Sequence, residues 1–228
     1  MKAIVCVNEH DWGIGLDNHL LYSIPEDMAY FRSKTYRKAV VYGRRTLLSF
    51  PDYKPLHNRT NIILSSDKNN IPEVTKKSCH YYCYLQWLQR KVNNNIQDLG
   101  IAGINFNNID DLDNLEVRTL VVLLNDINLV KDAGRIFGHS ENDIFVCGGA
   151  SIYKQLLPLC NTAYVTKVYC PDTKSDTYFP NLDKDKNWTC SWKSDLQTST
   201  TGIKYKFHEY TRIIEDGHEK DSDKNSKT

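Results

Sequence analysis

The sequence predicts an α/β fold: a mostly parallel central sheet, flanked by helices, with an antiparallel hairpin at its C-terminal edge. Short, continuously apolar runs that are typical of buried strands alternate with short helical segments. Two of these runs end in glycine and lead directly into a predicted helix. Near the C-terminus, two alternating segments, 188–192 and 203–210, are separated by turn residues, as in a hairpin.

The N-terminal elements can be assigned in order. Residues 3–7 form an apolar run that predicts the first strand, and residues 8–22 predict a long loop containing glycines. Residues 23–35 predict a helix, because Ser23 and Glu26 have the spacing of a capping box and a proline falls in the first turn. This part of the chain therefore predicts a strand, a long loop and a short helix.

Further strands and helices alternate through the rest of the chain. A short helix is expected over residues 43–50, and a helix of about ten residues starts near Ala150. The remaining apolar runs predict strands over 39–42, 61–64, 120–124, 144–147 and 163–169.

Two segments do not fit this alternation. Residues 67–115 are polar and rich in asparagine, and apart from a helix predicted over 81–92 we interpret them as an insertion between strands. Residues 215–228 contain many charges and no large apolar side chain, which is typical of a solvated tail or a linker. We therefore expect one domain over residues 1–213, followed by a disordered tail or linker over 214–228.

Composition limits the classes of partner and the compartment. The 228 residues include 29 Lys and Arg against 28 Asp and Glu, so the net charge of +1 provides no general attraction to nucleic acid or an anionic membrane. The seven scattered cysteines are typical of reduced thiols in an intracellular protein. No run approaches the ~18–20 apolar residues that span a membrane, and the N-terminal apolar run is too short for a signal peptide. We expect a cytoplasmic protein that binds neither nucleic acid nor membrane.

Asp27 is the first candidate functional residue. Ile24, Asp27, Met28 and Phe31 share one face of the predicted helix, and an unpaired carboxylate in an apolar stripe is costly to bury. One hypothesis is that Asp27 faces a pocket, where it binds a polar heterocycle or manages a proton. The other is that Asp27 only complements the helix dipole in the first turn. The spacing alone leaves both open.

Two strand-to-helix junctions suggest phosphate binding. Residues 42–46, Tyr-Gly-Arg-Arg-Thr, join a glycine that permits close approach of a ligand to two guanidinium groups at a helix start. Residues 147–151, Cys-Gly-Gly-Ala-Ser, repeat the order of strand, glycines and helix. Either junction could also be an ordinary turn, and neither standard dinucleotide fingerprint, G-x-G-x-x-G or G-x-x-x-x-G-K-[ST], is present.

Metal and nucleophile signatures are weak. Cys79 and Cys83 have the spacing of one half of a zinc site, but no second ligand pair follows. The histidines form no recognisable triad with a serine, and no nucleophile elbow is present. We expect no metal.

Taken in order, several segments resemble the dihydrofolate reductase family, over about residues 3–66 and 117–212. These segments are Gly-Ile-Gly-Leu-Asp-Asn (13–18), Ile-Pro-Glu-Asp-Met-Ala-Tyr-Phe (24–31), Tyr-Gly-Arg-Arg-Thr (42–46), Pro-Leu-His-Asn-Arg-Thr-Asn-Ile-Ile-Leu-Ser-Ser (55–66), Cys-Gly-Gly-Ala-Ser-Ile-Tyr (147–153) and Asp-Thr-Tyr-Phe-Pro (176–180).

The resemblance implies NADPH-dependent reduction of dihydrofolate to tetrahydrofolate, in support of one-carbon metabolism and thymidylate synthesis. Asp27 would accept two hydrogen bonds from the pterin, Thr166 would bond to Asp27, and Arg59 would hold the glutamate carboxylate of the substrate. The implied catalytic residues are Asp27, Tyr22 and Thr166. The implied substrate-binding residues are Val5, Asp27, Met28, Phe31, Phe50, Leu56, Arg59, Cys147, Tyr153 and Thr166.

The resemblance also implies a cofactor site and a cis peptide between Gly148 and Gly149. The arginines, Thr46 and the serines would hold the phosphates of NADPH. The implied cofactor-binding residues are Val7, Gly15, Leu16, Gly43, Arg44, Arg45, Thr46, Leu64, Ser65, Ser66, Gly148, Gly149, Ala150, Ser151 and Ile152. Antifolate inhibitors of the diaminopyrimidine or pteridine type are further expected ligands.

The sequence departs from the family at three points. Leu21 and Tyr22 replace the usual Pro-Trp pair, Cys147 replaces an aliphatic residue, and Asp67 lies close to the expected position of the 2′-phosphate. Asp67 would repel a phosphate, so the preference for NADPH is less secure than its use. Tyr22 would hold a water through its hydroxyl, with altered loop rigidity.

Three alternatives remain open. A related NADPH-dependent reductase of the riboflavin pathway would share the fold without needing Asp27 or Arg59. A non-catalytic folate- or nucleotide-binding homologue is suggested only by the change to Leu21-Tyr22. The charged segment from Glu215 would suit a linker to a fused thymidylate synthase domain, as in many protozoa, or a plain tail.

Overall fold

The computed structural model describes residues 1–67, 69–78, 81–84 and 119–213, and for residues 81–84 the backbone only. Strands β1 to β13 are Lys2–Asn8, Gly13–Leu16, His19–Leu20, Ala39–Gly43, Thr60–Leu64, Tyr81–Tyr84, Leu120–Leu124, Ile144–Gly148, Thr162–Val168, Thr177–Tyr178, Trp188–Lys193, Gln197–Thr198 and Lys204–Arg212. Helices α1 to α5 are Pro25–Thr35, Arg44–Leu47, Glu73–Lys77, Val130–Ile136 and Ala150–Leu156. Short 3-10 helices lie at Pro51–Tyr53, Ile127–Leu129, Glu141–Asp143 and Leu157–Leu159.

The main sheet has the strand order β11-β13-β9-β1-β8-β4-β5-β7-β6, with β12 paired to β13. The pairings from β9 through to β6 are parallel. Strands β11, β12 and β13 add an antiparallel edge. The predicted fold class, a mostly parallel sheet with an antiparallel C-terminal hairpin, is confirmed.

Both faces of the parallel strands are buried. In β1, Ala3, Val5 and Val7 pack in one core cluster, whereas Ile4 packs in a second cluster on the opposite face. Strand β7 is buried at every position. Burial on both faces explains why these strands appear in the sequence as continuous apolar runs without polar alternation.

The predicted loop over residues 8–22 contains short strands. β2 pairs with β3 and β10 in a small antiparallel sheet that lies apart from the main one. Asp176 strengthens this contact, because its amide donates to the carbonyl of Gly15 and its carboxylate accepts from the amide of Asp17. The loop is therefore attached to the segment around β10.

The predicted capping box is wrong. Helix α1 begins after Ile24, no side chain caps it, and its first residue is Pro25. Glu26 instead accepts hydrogen bonds from Ser199 and Thr200 in the C-terminal hairpin. The Glu26 carboxylate therefore bonds to a distant part of the chain and does not form the helix cap that the local sequence pattern predicted.

The other corrections concern short elements. The helix predicted over 43–50 ends at Leu47, and α4 was not predicted. Residues 81–84 form β6, which pairs in parallel with β7, so the helix prediction is wrong there and the predicted insertion contributes an edge strand to the sheet. Residues 85–92 and the tail from residue 214 lie outside the described residues. No helix within the described ranges has the length and apolar character needed to cross a membrane.

Candidate active site

The first turn of α1 places Asp27 on the face of the main sheet formed by β1 and β9. Ile24, immediately before the helix, is buried against Val168 of β9 and anchors the start of α1. Thr166 lies one position earlier on the same face of β9 and is paired in register with Cys6 of β1. Its hydroxyl lies close enough to the Asp27 carboxylate to lower the pKa of that group. The structure therefore brings together two of the predicted catalytic residues.

Burial raises the pKa of Asp27, because the charged carboxylate is less well solvated there, and the nearby Thr166 hydroxyl offsets part of this effect. No ion pair formed among the described residues includes Asp27. A carboxylate without a cation is available to accept hydrogen bonds from a ligand. The ionisable groups whose pKa values are raised by its charge are Cys6, Tyr30, Tyr153 and Tyr205.

An apolar wall continues from Asp27 along α1 and across the sheet. Phe31, one turn further along the helix, packs against the same core cluster as Phe50, Leu56 and Cys147. All four are partly buried, and burial raises the pKa of the Cys147 thiol far above its ordinary value. These four predicted substrate-binding residues therefore lie together and are suited to a flat apolar ligand.

Arg59 lies at the start of β5, with 7% of its surface exposed. Its Nε and Nη2 donate to the Thr35 hydroxyl, both at 3.1 Å, and Nη2 also donates to the Arg32 carbonyl at 3.3 Å. Nη1 donates to the carbonyl of His57. Burial lowers the pKa of Arg59, and no ion pair in the described part of the chain includes it. Arg59 is thus a fixed, buried cation that can bind a carboxylate.

The two predicted phosphate junctions meet in space. A Cβ on Gly149 would lie 3.4 Å from the Thr46 hydroxyl oxygen, and one on Gly43 would lie 3.3 Å from the Ile152 Cγ1. Gly148 has φ +122°, in the region that favours glycine, and joins Gly149 through a cis peptide. The start of α2 and the start of α5, which contains Ala150 and Ser151, therefore border one glycine-lined surface.

Polar groups extend this surface beyond β5, which ends at Leu64. Arg44 donates to the Asn70 side chain at 3.3 Å, and Arg45 is exposed. The Ser65 hydroxyl donates to the Asp67 carbonyl, and the exposed Asp67 carboxylate accepts from the Asn69 amide at 2.8 Å. The exposed Ser66 lies between them. Two guanidinium groups, two hydroxyls and one carboxylate are thus arranged at this end of the sheet.

A family model described as "Dihydrofolate reductase" matches residues 1–117 and 105–212. The chain belongs to the dihydrofolate reductase family. The matched residues include Asp27, Arg59 and both glycine junctions.

Curated relatives agree. The chain is 28% identical to the dihydrofolate reductase of Schistosoma mansoni, over 82% of this chain and 81% of that protein. It is 27% identical to the Neisseria gonorrhoeae enzyme of the same name, over 86% and 89% respectively. A bifunctional dihydrofolate reductase-thymidylate synthase of Glycine max is 24% identical, over 92% of this chain and 33% of that protein.

Tyr22, at the position of the usual family tryptophan, packs in a small cluster with Ile24 and Cys6. Its hydroxyl is buried and makes no hydrogen bond with the residues that the structure describes. Asn8 and Thr173 are close enough to lower its pKa without reaching hydrogen-bond geometry, and burial raises this pKa overall. The structure places Tyr22 beside Cys6, a neighbour of Asp27, and leaves its predicted catalytic role a prediction.

Cys6 is a residue of the candidate site that the sequence interpretation missed. The side chain of Val5, which was predicted to line the pocket, packs in the core cluster on the opposite face of β1, together with Val7. Cys6 faces Asp27, whose charge contributes to raising its pKa. The alternation of side chains along β1 provides the signal, since a neighbour of a core-facing residue points to the other face.

The remaining predicted residues of the dihydrofolate reductase site lie around these groups. The Tyr153 hydroxyl donates to the Ile4 carbonyl at 2.7 Å, and a Cβ on Gly148 would lie 3.6 Å from the hydroxyl oxygen. Met28 is 43% exposed on α1. Gly15 and Leu16 lie on β2, where Leu16 lines a cavity of about 350 Å³.

Proposed function

We propose that this chain reduces 7,8-dihydrofolate to 5,6,7,8-tetrahydrofolate with NADPH. The observation that carries the proposal is the largely buried carboxylate of Asp27, which has no cationic partner in the described structure and lies beside Thr166 in a chain that belongs to the dihydrofolate reductase family. The relatives that bear this enzyme's name support the same activity.

Asp27 would bind the pterin. Its two carboxylate oxygens can accept hydrogen bonds from a ring N–H and the neighbouring amino group, which fixes the plane and direction of the heterocycle. The nearby negative charge favours a proton on N5 of the pterin, next to the carbon that is reduced. The wall formed by Phe31, Phe50 and Leu56 would exclude water from the ring.

Arg59 would bind the other end of dihydrofolate. Its four hydrogen bonds to protein acceptors fix the guanidinium plane and leave one N–H, on Nη1, without a protein acceptor in the described structure. A substrate carboxylate would neutralise the buried charge and occupy this donor.

The glycine junctions fit a dinucleotide. Gly43, Gly148 and Gly149 leave no side chain between the backbone and a ligand, and Thr46 and Arg44 border the same surface. NADPH, when bound, supplies the hydride. This chain would hold its pyrophosphate along Gly148, Gly149 and Ser151 and its 2′-phosphate near Arg44 and Ser66.

Antifolate inhibitors are a further proposed class of ligand. A protonated diaminopyrimidine or pteridine antifolate would place two N–H donors on Asp27 in the manner of the substrate. We also propose, from the bifunctional plant relatives, that a fused thymidylate synthase domain is compatible with this chain.

The decisive experiment is Asp27→Asn. The amide keeps the size of the side chain but removes the charge, so we expect kcat at neutral pH to fall by roughly 10²-fold or more, with partial recovery at low pH, where the substrate carries its own proton. Consumption of NADPH on addition of dihydrofolate to the purified chain provides the measurement. Asp132→Asn, in the exposed ion pair with Arg135, is the matched control. Wild-type rates for Asp27→Asn at every pH would remove Asp27 from the mechanism.

A further inference from the structure

Glu26, next to Asp27 in the first turn of α1, links this helix to the C-terminal hairpin. Its Oε2 accepts a hydrogen bond from the Ser199 hydroxyl at 2.7 Å, and its Oε1 accepts one from the Thr200 amide at 2.9 Å. Both carboxylate oxygens are therefore engaged by a turn that lies 173 residues further along the chain. We call this pair of contacts the Glu26 latch.

The hairpin side of the latch is rigid. Ser199 is buried, with 5% of its surface exposed. Its amide donates to the Ile203 carbonyl and its carbonyl accepts from the Gly202 amide, both at 2.8 Å. Its hydroxyl also accepts from the Thr201 amide at 3.2 Å. A turn with this many internal bonds is a fixed point against which the helix can be held.

The same hairpin is bonded to the strand that carries Thr166. The turn around Ser199 joins β12 to β13, and β13 pairs with β9 along its length, with Phe207 opposite Thr166. The first turn of α1 is therefore bonded through Glu26 to the turn of this hairpin, and Asp27 in the same turn of the helix lies beside Thr166. Among the described residues, no side chain caps the start of α1. The Glu26 latch therefore fixes the first turn of a helix that has no capping side chain.

We propose that Glu26 is a positioning residue that holds the first turn of α1 so that the Asp27 carboxylate stays in its buried place against Thr166. The effect of this placement on turnover rests on the proposed function. The role of Glu26 in keeping Asp27 in place does not depend on that function. Hydrogen bonds from Ser199 and Thr200 lower the pKa of Glu26 to about 2, so the latch is ionised at any pH at which the protein would work.

The first test measures the ionisation of Asp27 directly, in the full chain without substrate. The carboxyl groups of aspartate are labelled with ¹³C, and the Asp27 signal is assigned by its loss in Asp27→Asn. In Glu26→Ala and Ser199→Ala, water should reach Asp27 more easily, so its pKa should move down towards its ordinary value. The other ionisable groups that face it, Cys6, Tyr30, Tyr153 and Tyr205, are unchanged in these variants.

Two further variants make the result specific. Glu26→Gln keeps one acceptor oxygen, so the Asp27 signal should shift by an intermediate amount. Glu141→Ala removes another hydrogen-bonded glutamate with a lowered pKa, which is bound to Lys131 and not to the C-terminal hairpin, and should leave the Asp27 signal unchanged. An unchanged Asp27 titration in Ser199→Ala and Glu26→Gln would overturn the proposal even if Glu26→Ala fails to fold.

Turnover provides the second readout. We expect kcat of Glu26→Ala to fall by roughly tenfold, less than the ~100-fold that a misplacement of about 1 Å can cause, with the KM for NADPH unchanged. An equal loss in Glu141→Ala would mean that the effect is general destabilisation, against the proposal. If the wild-type chain does not reduce dihydrofolate, the proposed function fails, while the ¹³C titration still decides whether the latch positions Asp27.

Discussion

Asp27 and Arg59 are two partly or fully buried charges that the protein leaves without a partner of opposite sign among the described residues. Each lowers stability when the site is empty, because a desolvated charge is costly unless it is paired. A ligand with N–H donors at one end and a carboxylate at the other would compensate both costs at once. Dihydrofolate has this distribution of groups, which explains why residues that weaken the fold are suited to the proposed substrate.

Arg59→Ala should weaken the binding of dihydrofolate by about 2 kcal/mol, or ~30-fold in Kd, because a desolvated charge pair is lost. The Kd for NADPH should not change. Arg59→Lys keeps the charge but loses the planar set of donors, so its effect should be intermediate. Binding titrations measure both constants, and Arg135→Ala, in an exposed ion pair, is the control. Wild-type affinity for dihydrofolate in Arg59→Ala would assign its carboxylate to another residue.

His208 makes the stability of the protein depend on pH. Burial, together with the charge of Lys167, lowers its pKa from 6.5 to about 4, and its Nδ1 is buried without a hydrogen bond. Because the folded pKa lies below the unfolded one, the unfolded chain binds the proton first. The stabilising contribution is complete above pH 6.5 and is lost as the pH falls towards 4.

We therefore expect urea denaturation to show a lower free energy of unfolding at pH 5 than at pH 7, and His208→Phe should reduce this difference. Phenylalanine does not titrate and can keep the stacking on Tyr210. The exposed His19→Gln is the control. If the pH dependence of His208→Phe equals that of the wild type, the carboxylates whose pKa values are lowered, such as Asp143 and Asp183, account for the acid sensitivity instead.

At the level of elements, the sequence predicts long buried strands well and short or long-range contacts poorly. β7 was predicted with its observed bounds, 120–124, because its continuous apolar run defines both ends of the strand in the sequence. β3 has only two residues, and β6 belongs to a polar stretch of the sequence. Neither carries a local pattern that predicts a strand, and each forms by pairing with a neighbouring strand. The capping box failed because the partner of Glu26 lies in the C-terminal hairpin.

The same distinction applies to the site. Asp27 could be identified from the sequence, because an acidic residue within an apolar helix face is visible in a single segment. The proximity of Thr46 and Gly149 was expected only from the family resemblance. Cys6 was missed although the geometry of a strand places it on the face opposite to its neighbours Val5 and Val7. The Glu26 latch has no local signal, since it needs a turn that only the folded sheet brings near α1.

Cofactor choice should depend on the start of α2 and the segment after β5. Arg44, bonded to Asn70, and Arg45 together outweigh the exposed carboxylate of Asp67 beside a phosphate, so NADPH should be preferred to NADH. Arg44→Ala should narrow the ratio of kcat/KM values for the two cofactors, and Asp67→Asn should widen it. The exposed Asp195→Asn is a control. An unchanged ratio in Arg44→Ala would show that the phosphate motif is only structural.

In the whole molecule, the candidate site lies along the carboxyl ends of the parallel strands. Gly43, Leu64 and Gly148 end β4, β5 and β8, and each is followed by residues assigned to the cofactor. Strand β1, beside Asp27, lies between β9 and β8, which follow much later in the chain. Ligands of open α/β sheets bind at this edge, where the strand order changes direction, so this topology would position the proposed substrate next to the proposed cofactor.

The C-terminal tail and the segment between β5 and β7 should differ in importance for this sheet. Deleting residues 215–228 leaves β13 intact and removes no large apolar side chain, so kcat and the melting temperature should stay at wild-type values.

Deleting 67–115 removes α3, the buried Ile71 and Thr75, and β6, which pairs with β7. β7 is buried along its length and would become an exposed edge strand, which lowers stability and promotes aggregation. We expect this variant to retain some activity with a clearly lower melting temperature. Equal melting temperatures in the two deletions would show that β6 adds nothing to the sheet, and loss of activity on removing the tail would place part of the functional site beyond residue 214.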